Sequence, residues 1–94
     1  MKKIWKYRIP IINGESCPVS LPKGACILHV GCQGSLIFIW AEVDPSIVGT
    51  EELYFEVFAT GQPIPEDMGT SRAYINTVLL YNGGLAAHVY QRLS

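Results

Sequence analysis

Charge is scarce in this sequence: Asp, Glu, Lys and Arg make up 16% of its 94 residues, against an ordinary share of about a quarter. The net charge is only −1, which argues against a duplex nucleic-acid partner, because such proteins present a basic footprint to the phosphates. The one local basic cluster is Lys2, Lys3, Lys6 and Arg8. On an extended strand Lys2, Lys6 and Arg8 share one side and Lys3 takes the other, so a solvated edge is expected there. Long apolar runs are lacking too. No stretch approaches the roughly 20 residues of a membrane span, and the opening MKKIWKYRIP carries charge without the apolar centre of a secretory signal. No membrane partner is expected, and an intracellular, soluble chain is. The three cysteines, Cys17, Cys26 and Cys32, are an odd number in that setting and are expected as reduced thiols.

Catalytic signatures are also missing. There is no G-x-S-x-G nucleophile elbow and no phosphate-cradling G-x-x-x-x-G-K-[ST] or G-x-G-x-x-G stretch. Glu51-Glu52 and Glu66-Asp67 are neighbouring carboxylates in loops and read as solvated pairs rather than as an acid/base couple. Cys26, His29 and Cys32 have a spacing that superficially resembles a metal site. On one continuous strand, alternation puts the two cysteines on one side and His29 on the other, so without a bulge they cannot converge. No catalytic residue, metal or cofactor is predicted.

What the chain does have is β-forming material: 49% apolar residues, rich in β-branched and aromatic types, with Gly, Pro or Asn recurring every 8–15 residues. This is the pattern of short strands in an all-β fold, and the length suits one domain, residues 1–94. Lys2–Ile9 is a first strand with Trp5, Tyr7 and Ile9 on one face, ended by Pro10 and Asn13-Gly14. Pro18 and Pro22 allow only a short edge strand between Ser16 and Lys23. Ala25–Cys32 and Ser35–Val43 form a hairpin around Gln33-Gly34, with Cys32 opposite Ser35. Its core face holds Leu28, Val30, Ile37 and Ile39, and its second face Ile27, His29, Phe38 and Trp40. Glu52–Thr60 presents Leu53, Phe55, Val57 and Ala59 to one side and Tyr54, Glu56 and Phe58 to the other. A final hairpin, Arg72–Tyr81 with Gly84–Leu93, turns at Asn82-Gly83 and sets Thr77 opposite His88, Ile75 opposite Tyr90 and Leu79 opposite Ala86. Val78, Leu80, Leu85, Ala87 and Val89 form its other face. About six antiparallel strands in a small sandwich or partly open barrel are predicted.

Candidate binding residues follow from the second faces of the two hairpins. His29 accompanies Phe38 and Trp40, and His88 accompanies Thr77 and Tyr90. Rings can stack on bases, while imidazole and hydroxyl groups can bond to ribose or phosphate. The bland reading of both histidines is a satisfied residue in a sheet or subunit interface. Thr60-Gly61-Gln62-Pro63-Ile64-Pro65 is the most distinctive stretch, with Gly permitting close backbone approach and the prolines stiffening the loop. It reads as a rigid connection or as a pocket rim formed by Thr60, Gly61 and Gln62. Low charge and the second apolar face of the central hairpin point to a homo-oligomer that buries that face.

Taken together, the IWKY opening, Leu21-Pro22-Lys23-Gly24-Ala25, Trp40 to Asp44-Pro45, Thr60-Gly61-Gln62-Pro63-Ile64-Pro65 and His88-Val89 resemble a family of short phage and prophage proteins, a domain of unknown function. The resemblance covers most of the chain and implies no catalytic or ligand set. Small oligomeric phage proteins of this size include the signal sponges, among them the Sequestin and Lockin groups. These sequester nucleotide messengers of bacterial immunity such as cyclic or histidine-linked ADP-ribose. Placing the chain with them by class, not by a shared motif, leads to the expectation of a non-enzymatic anti-defence protein in the cytoplasm of the bacterial host. The alternative is a phage protein-interaction or structural module without a small-molecule ligand. A small nucleotide-cleaving enzyme is the third and weaker reading.

Overall fold

The computed structural model describes residues 1–10 and 15–93; the turn expected at Asn13-Gly14 lies outside them. The described residues form seven antiparallel strands: β1 (Lys3–Ile9), β2 (Cys17–Pro22), β3 (Cys26–Gln33), β4 (Leu36–Val43), β5 (Thr50–Ala59), β6 (Arg72–Leu80) and β7 (Leu85–Arg92). One helical turn, α1 (Met68–Ser71), precedes β6. The strands make two sheets, ordered β1-β4-β3 and β2-β5-β7-β6. The all-β expectation holds, with one strand more than the six expected, and the sheets do not close into a barrel. Strand β2 is the short edge strand allowed between Ser16 and Lys23, and at a sheet edge Pro18 and Pro22 interrupt pairing least.

Alternation builds the core. Ile37, Ile39, Ala41 and Val43 from β4 meet Phe55 and Val57 from β5 and Leu80, Ala87 and Val89 from the last hairpin, all buried. Tyr7 and Ile9 face inward from β1, as the alternation predicts. At one side of the sandwich β3 lies beside β6. There the Asn76 amide donates to Val30 O at 2.7 Å and the Cys32 thiol to Leu79 O at 2.9 Å, so side chains join the two sheet edges.

The β3–β4 hairpin differs from expectation in two ways. Gln33 pairs with Leu36, so the loop is Gly34-Ser35, not Gln33-Gly34, and Cys32 faces Ile37. Gly34 has φ +64°, while Gln33 and Ser35 avoid positive φ. A two-residue turn with glycine first needs a left-handed residue only there, whereas glycine second would force Gln33 left-handed as well. The second difference is a bulge between Ile27 and His29. It turns Ile27 inward against the core and leaves Leu28 48% exposed, the reverse of the alternation read from sequence. The bulge also separates the cysteines: Cys26 is exposed opposite Glu42, and Cys32 faces the interior opposite Ile37.

The last hairpin keeps its expected register near the turn, with Thr77 opposite His88 and Leu79 opposite Ala86. The loop is wider than Asn82-Gly83 alone: Tyr81 (φ +52°), Asn82 (φ +56°) and Gly83 (φ +87°) are all left-handed, and Gly83 N–H and Gly84 N–H donate to Leu80 O and Tyr81 O in two overlapping turns. Beyond a bulge between Tyr74 and Asn76, however, Tyr74 and not Ile75 pairs with Tyr90. Strands β5 and β6 flank β7, so the chain must pass from the end of one to the start of the other. Residues 60–71 make that crossover.

Candidate functional site

The outer face of the four-stranded sheet is a grid of outward side chains. Phe58, His88 and Thr77 stand in one cross-strand row, Glu56, Tyr90 and Tyr74 in the next, and Arg92 and Arg72 beyond them. The crossover starts beside Ala59, level with Ala87, and ends at Arg72, level with Arg92. It therefore runs back along this face and roofs part of it. Between roof and sheet is a pocket of about 280 Å³ lined by Phe58, Ala59, Thr60, Gly61, Gln62, Ile64, Met68, His88 and Tyr90.

Local chemistry shapes the rim. The Gln62 amide N–H donates to Ala59 O at 3.1 Å, closing a turn over Thr60 and Gly61, and Gly61 has φ +85°. A turn with a left-handed third residue selects glycine. The Gln62 side chain then folds back, its Oε1 accepting from Ala59 N at 3.0 Å. Thr60 is thereby held over His88, with Oγ1 and Nε2 2.7 Å apart. On the other side of the imidazole, Nδ1 lies 2.9 Å from Thr77 Oγ1, which in turn contacts the Tyr74 hydroxyl. Both ring nitrogens of His88 thus meet hydroxyl oxygens. Tyr90 packs edge-on against Phe58 (ring centroids 5.7 Å apart) and Tyr74 (5.4 Å), which fixes its ring at the pocket wall.

Beneath the far end of the roof, charge is neutralised. Arg72 Nε donates to Glu56 Oε1 at 2.7 Å, and Arg72 Nη1 reaches Asp67 Oδ1 at 3.2 Å. The Asp67 carboxyl is held below its ordinary pKa, first by the Ser71 hydroxyl and then by Arg72. Glu56 and Arg72 neutralise each other outside the pocket, whose lining among the described residues contains no Asp, Glu, Lys or Arg. The polar contacts of His88 among the described residues are the Thr60 and Thr77 hydroxyls.

The residues picked from sequence divide between two faces. Thr60, Gly61, Gln62, His88 and Tyr90 line the pocket, and Thr77 supports His88 from outside the lining. His29, Phe38 and Trp40 lie on the outer face of the other sheet, with the core between them and the pocket. Sequence reasoning did not pick Phe58, Ala59, Ile64 and Met68. Phe58 shares the outward parity of Glu56, but only the roof makes that position buried. No signal in the chain marks Met68, whose place depends on the path of the crossover.

No curated protein and no solved structure shows significant similarity to the chain. Residues 1–94, the whole chain, match the family described as Domain of unknown function (DUF7352), and the protein belongs to that family.

Proposed function

We propose that the protein is a non-enzymatic binding protein that sequesters a nucleotide signal, with the base or nucleoside part held beneath the crossover. The observation that carries this reading is the joining of fixed aromatic walls and neutral hydrogen-bonding groups in one pocket. Tyr90 and Phe58 supply ring surface, while Thr60 and His88 supply groups suited to ribose hydroxyls. The volume, about 280 Å³, is near the lower bound of small-molecule sites, about 300 Å³, so it suits a nucleoside-sized portion and leaves the phosphates at the rim.

The ligand class is the cyclic or histidine-linked ADP-ribose type, and the biological role is a phage protein countering bacterial defence in the host cytoplasm. Ile64, Tyr74 and Leu79 are exposed on the pocket side of the molecule, an apolar rim on which a second copy would pack and complete the site. This proposal departs from the sequence expectation, which put the interface on the His29–Trp40 face of the central hairpin, where association would bury Lys6 and Arg8.

The test is incubation with a panel of ADP-ribose messengers, followed by analysis of free ligand before and after heat denaturation. Intact messenger depleted by the native protein and recovered on denaturation is expected. Altered messenger would mean an enzyme, and no depletion would favour a protein-interaction module. Loss of a stacking ring costs about 1–3 kcal/mol per base, so Tyr90→Leu should weaken retention about 5- to 150-fold.

A further inference from the structure

The outer face of the three-stranded sheet has a second arrangement of chemistry, independent of the pocket. Phe38 and Trp40 project from β4 with ring centroids 6.3 Å apart. Directly across on β1, Arg8 pairs with Phe38 and Lys6 with Trp40, so a cationic row runs one strand spacing, about 4.8 Å, beside the aromatic row. On the other flank His29 pairs with Trp40, their rings 5.9 Å apart, and Gly31 pairs with Phe38. A Cβ at Gly31 would come within 3.1 Å of His29 Nε2 and 3.3 Å of Trp40 Cζ3, so the missing side chain is what lets these two rings lie low over the strand.

The charge on this face has one sign where the rings are. Among the described residues of this face the carboxylate is Glu42, 3.0 Å from Lys2 Nζ and already neutralised. Lys6 bonds a neutral group, Gln33 Oε1, at 2.8 Å and lies 4.6 Å from the Phe38 ring centroid. Arg8 is exposed. We infer that this face binds single-stranded nucleic acid, bases stacking on Trp40 and Phe38 and phosphates running along Lys6 and Arg8. Parallel rows of rings and cations fit a strand whose bases and backbone lie side by side, whereas a duplex offers no exposed base faces to stack. Lys6 exchanges its cation–π contact for a phosphate as a base takes its place on Phe38. A protein partner would have to bring its own carboxylates to Lys6 and Arg8, because Glu42, the carboxylate described on this face, is already paired with Lys2.

The experiment uses fluorescently labelled dT and rU oligonucleotides, with a duplex control, and reads anisotropy together with tryptophan emission in the Trp5→Phe background, where Trp40 is the remaining tryptophan. Saturable binding of a single strand with quenching of Trp40 is expected. Two phosphate contacts give a salt slope of about −1.4, from about −0.7 per contact. The Lys6→Gln/Arg8→Gln variant should bind at least about 10-fold more weakly with a flatter salt dependence. Trp40→Leu should lose about 5-fold or more while Trp40→Phe retains binding. Should Trp40→Leu fail to fold, the surface charge variant still decides the matter. Four results would overturn the inference: no anisotropy change at low salt, equal binding of the duplex, affinity unchanged by the double charge variant, or protein-concentration-dependent shielding of Trp40 without oligonucleotide, which would assign the face to a second copy.

Discussion

Arg72, at the start of β6, reaches across the sheet to Glu56 on β5, its Nε 2.7 Å from Oε1, with the two side chains only 3% and 7% exposed. Arg92 Nη1 approaches the same oxygen at 3.5 Å, and Asp67 holds the opposite edge of the Arg72 guanidinium. One buried ion pair therefore anchors the far end of the crossover to the central strand. Removing one partner leaves the other only its more exposed contact, Arg92 for Glu56 or Asp67 for Arg72, and breaking a buried pair costs up to about 3–5 kcal/mol. Glu56→Gln and Arg72→Met are each expected to lower stability on that scale in chemical denaturation. The double variant Glu56→Leu/Arg72→Met should recover much of the loss, since apolar replacement removes both desolvation penalties.

Asp67 supplies a pH dependence with a definite sign. Its carboxyl titrates below the ordinary value of 3.8 because Ser71 and then Arg72 favour the charged form. A depressed folded-state pKa means that the tether is fully present above the unfolded value and is lost as pH falls through the folded one. Stability and pocket closure should thus hold down to about pH 4 and decline below it. Ser71→Ala is expected to move the Asp67 titration, followed by carboxyl NMR, upward toward 3.8.

The turn at the pocket rim makes two expectations separable. Gly61 has φ +85° and nothing near its missing Cβ, so Gly61→Ala tests backbone conformation without a steric clash. A left-handed alanine costs about 1–2 kcal/mol, measurable as a fall in Tm. Gln62→Ala removes the acceptor for Ala59 N–H, a net loss of about 1 kcal/mol, so it is expected to reduce stability as well as ligand retention.

Tyr7 offers a change in the opposite direction. Its hydroxyl is buried without a hydrogen-bond partner among the described residues, and burial raises its pKa. An unsatisfied buried hydroxyl carries a desolvation cost of about 1–3 kcal/mol. Tyr7→Phe should leave Tm unchanged or higher, and a marked decrease would show that the hydroxyl has a partner after all.

Much of the fold was legible from local chemistry. Alternation placed Val30, Ile37 and Ile39 in the core and grouped Phe55 with Val57 and Ala87 with Val89 on single faces, and Asn82-Gly83 set the register of Thr77 against His88. Where the reading failed, a bulge intervened: one extra residue reverses every side chain beyond it, which is why Leu28 and Ile27 exchanged faces and Tyr74 replaced Ile75 opposite Tyr90. Nothing in residue type announces such an insertion, because it is stabilised by the neighbouring strand.

The candidate site divides along the same line. From sequence came the chemistry: the rigid Thr60–Pro65 loop, two histidines beside rings and hydroxyls, and the row of basic residues on β1. Strand parity, which needs only the two-residue period of extended backbone, sufficed to put them on outward faces. Only the tertiary structure decided which of them meet. Placing β7 between β5 and β6 sends the crossover over one sheet, so Thr60 and Gln62 join His88 and Tyr90, while His29, Phe38 and Trp40 are left on the other side with Lys6 and Arg8. Strand order rests on long-range pairing and on burial of a shared core, terms that no local window of residues contains.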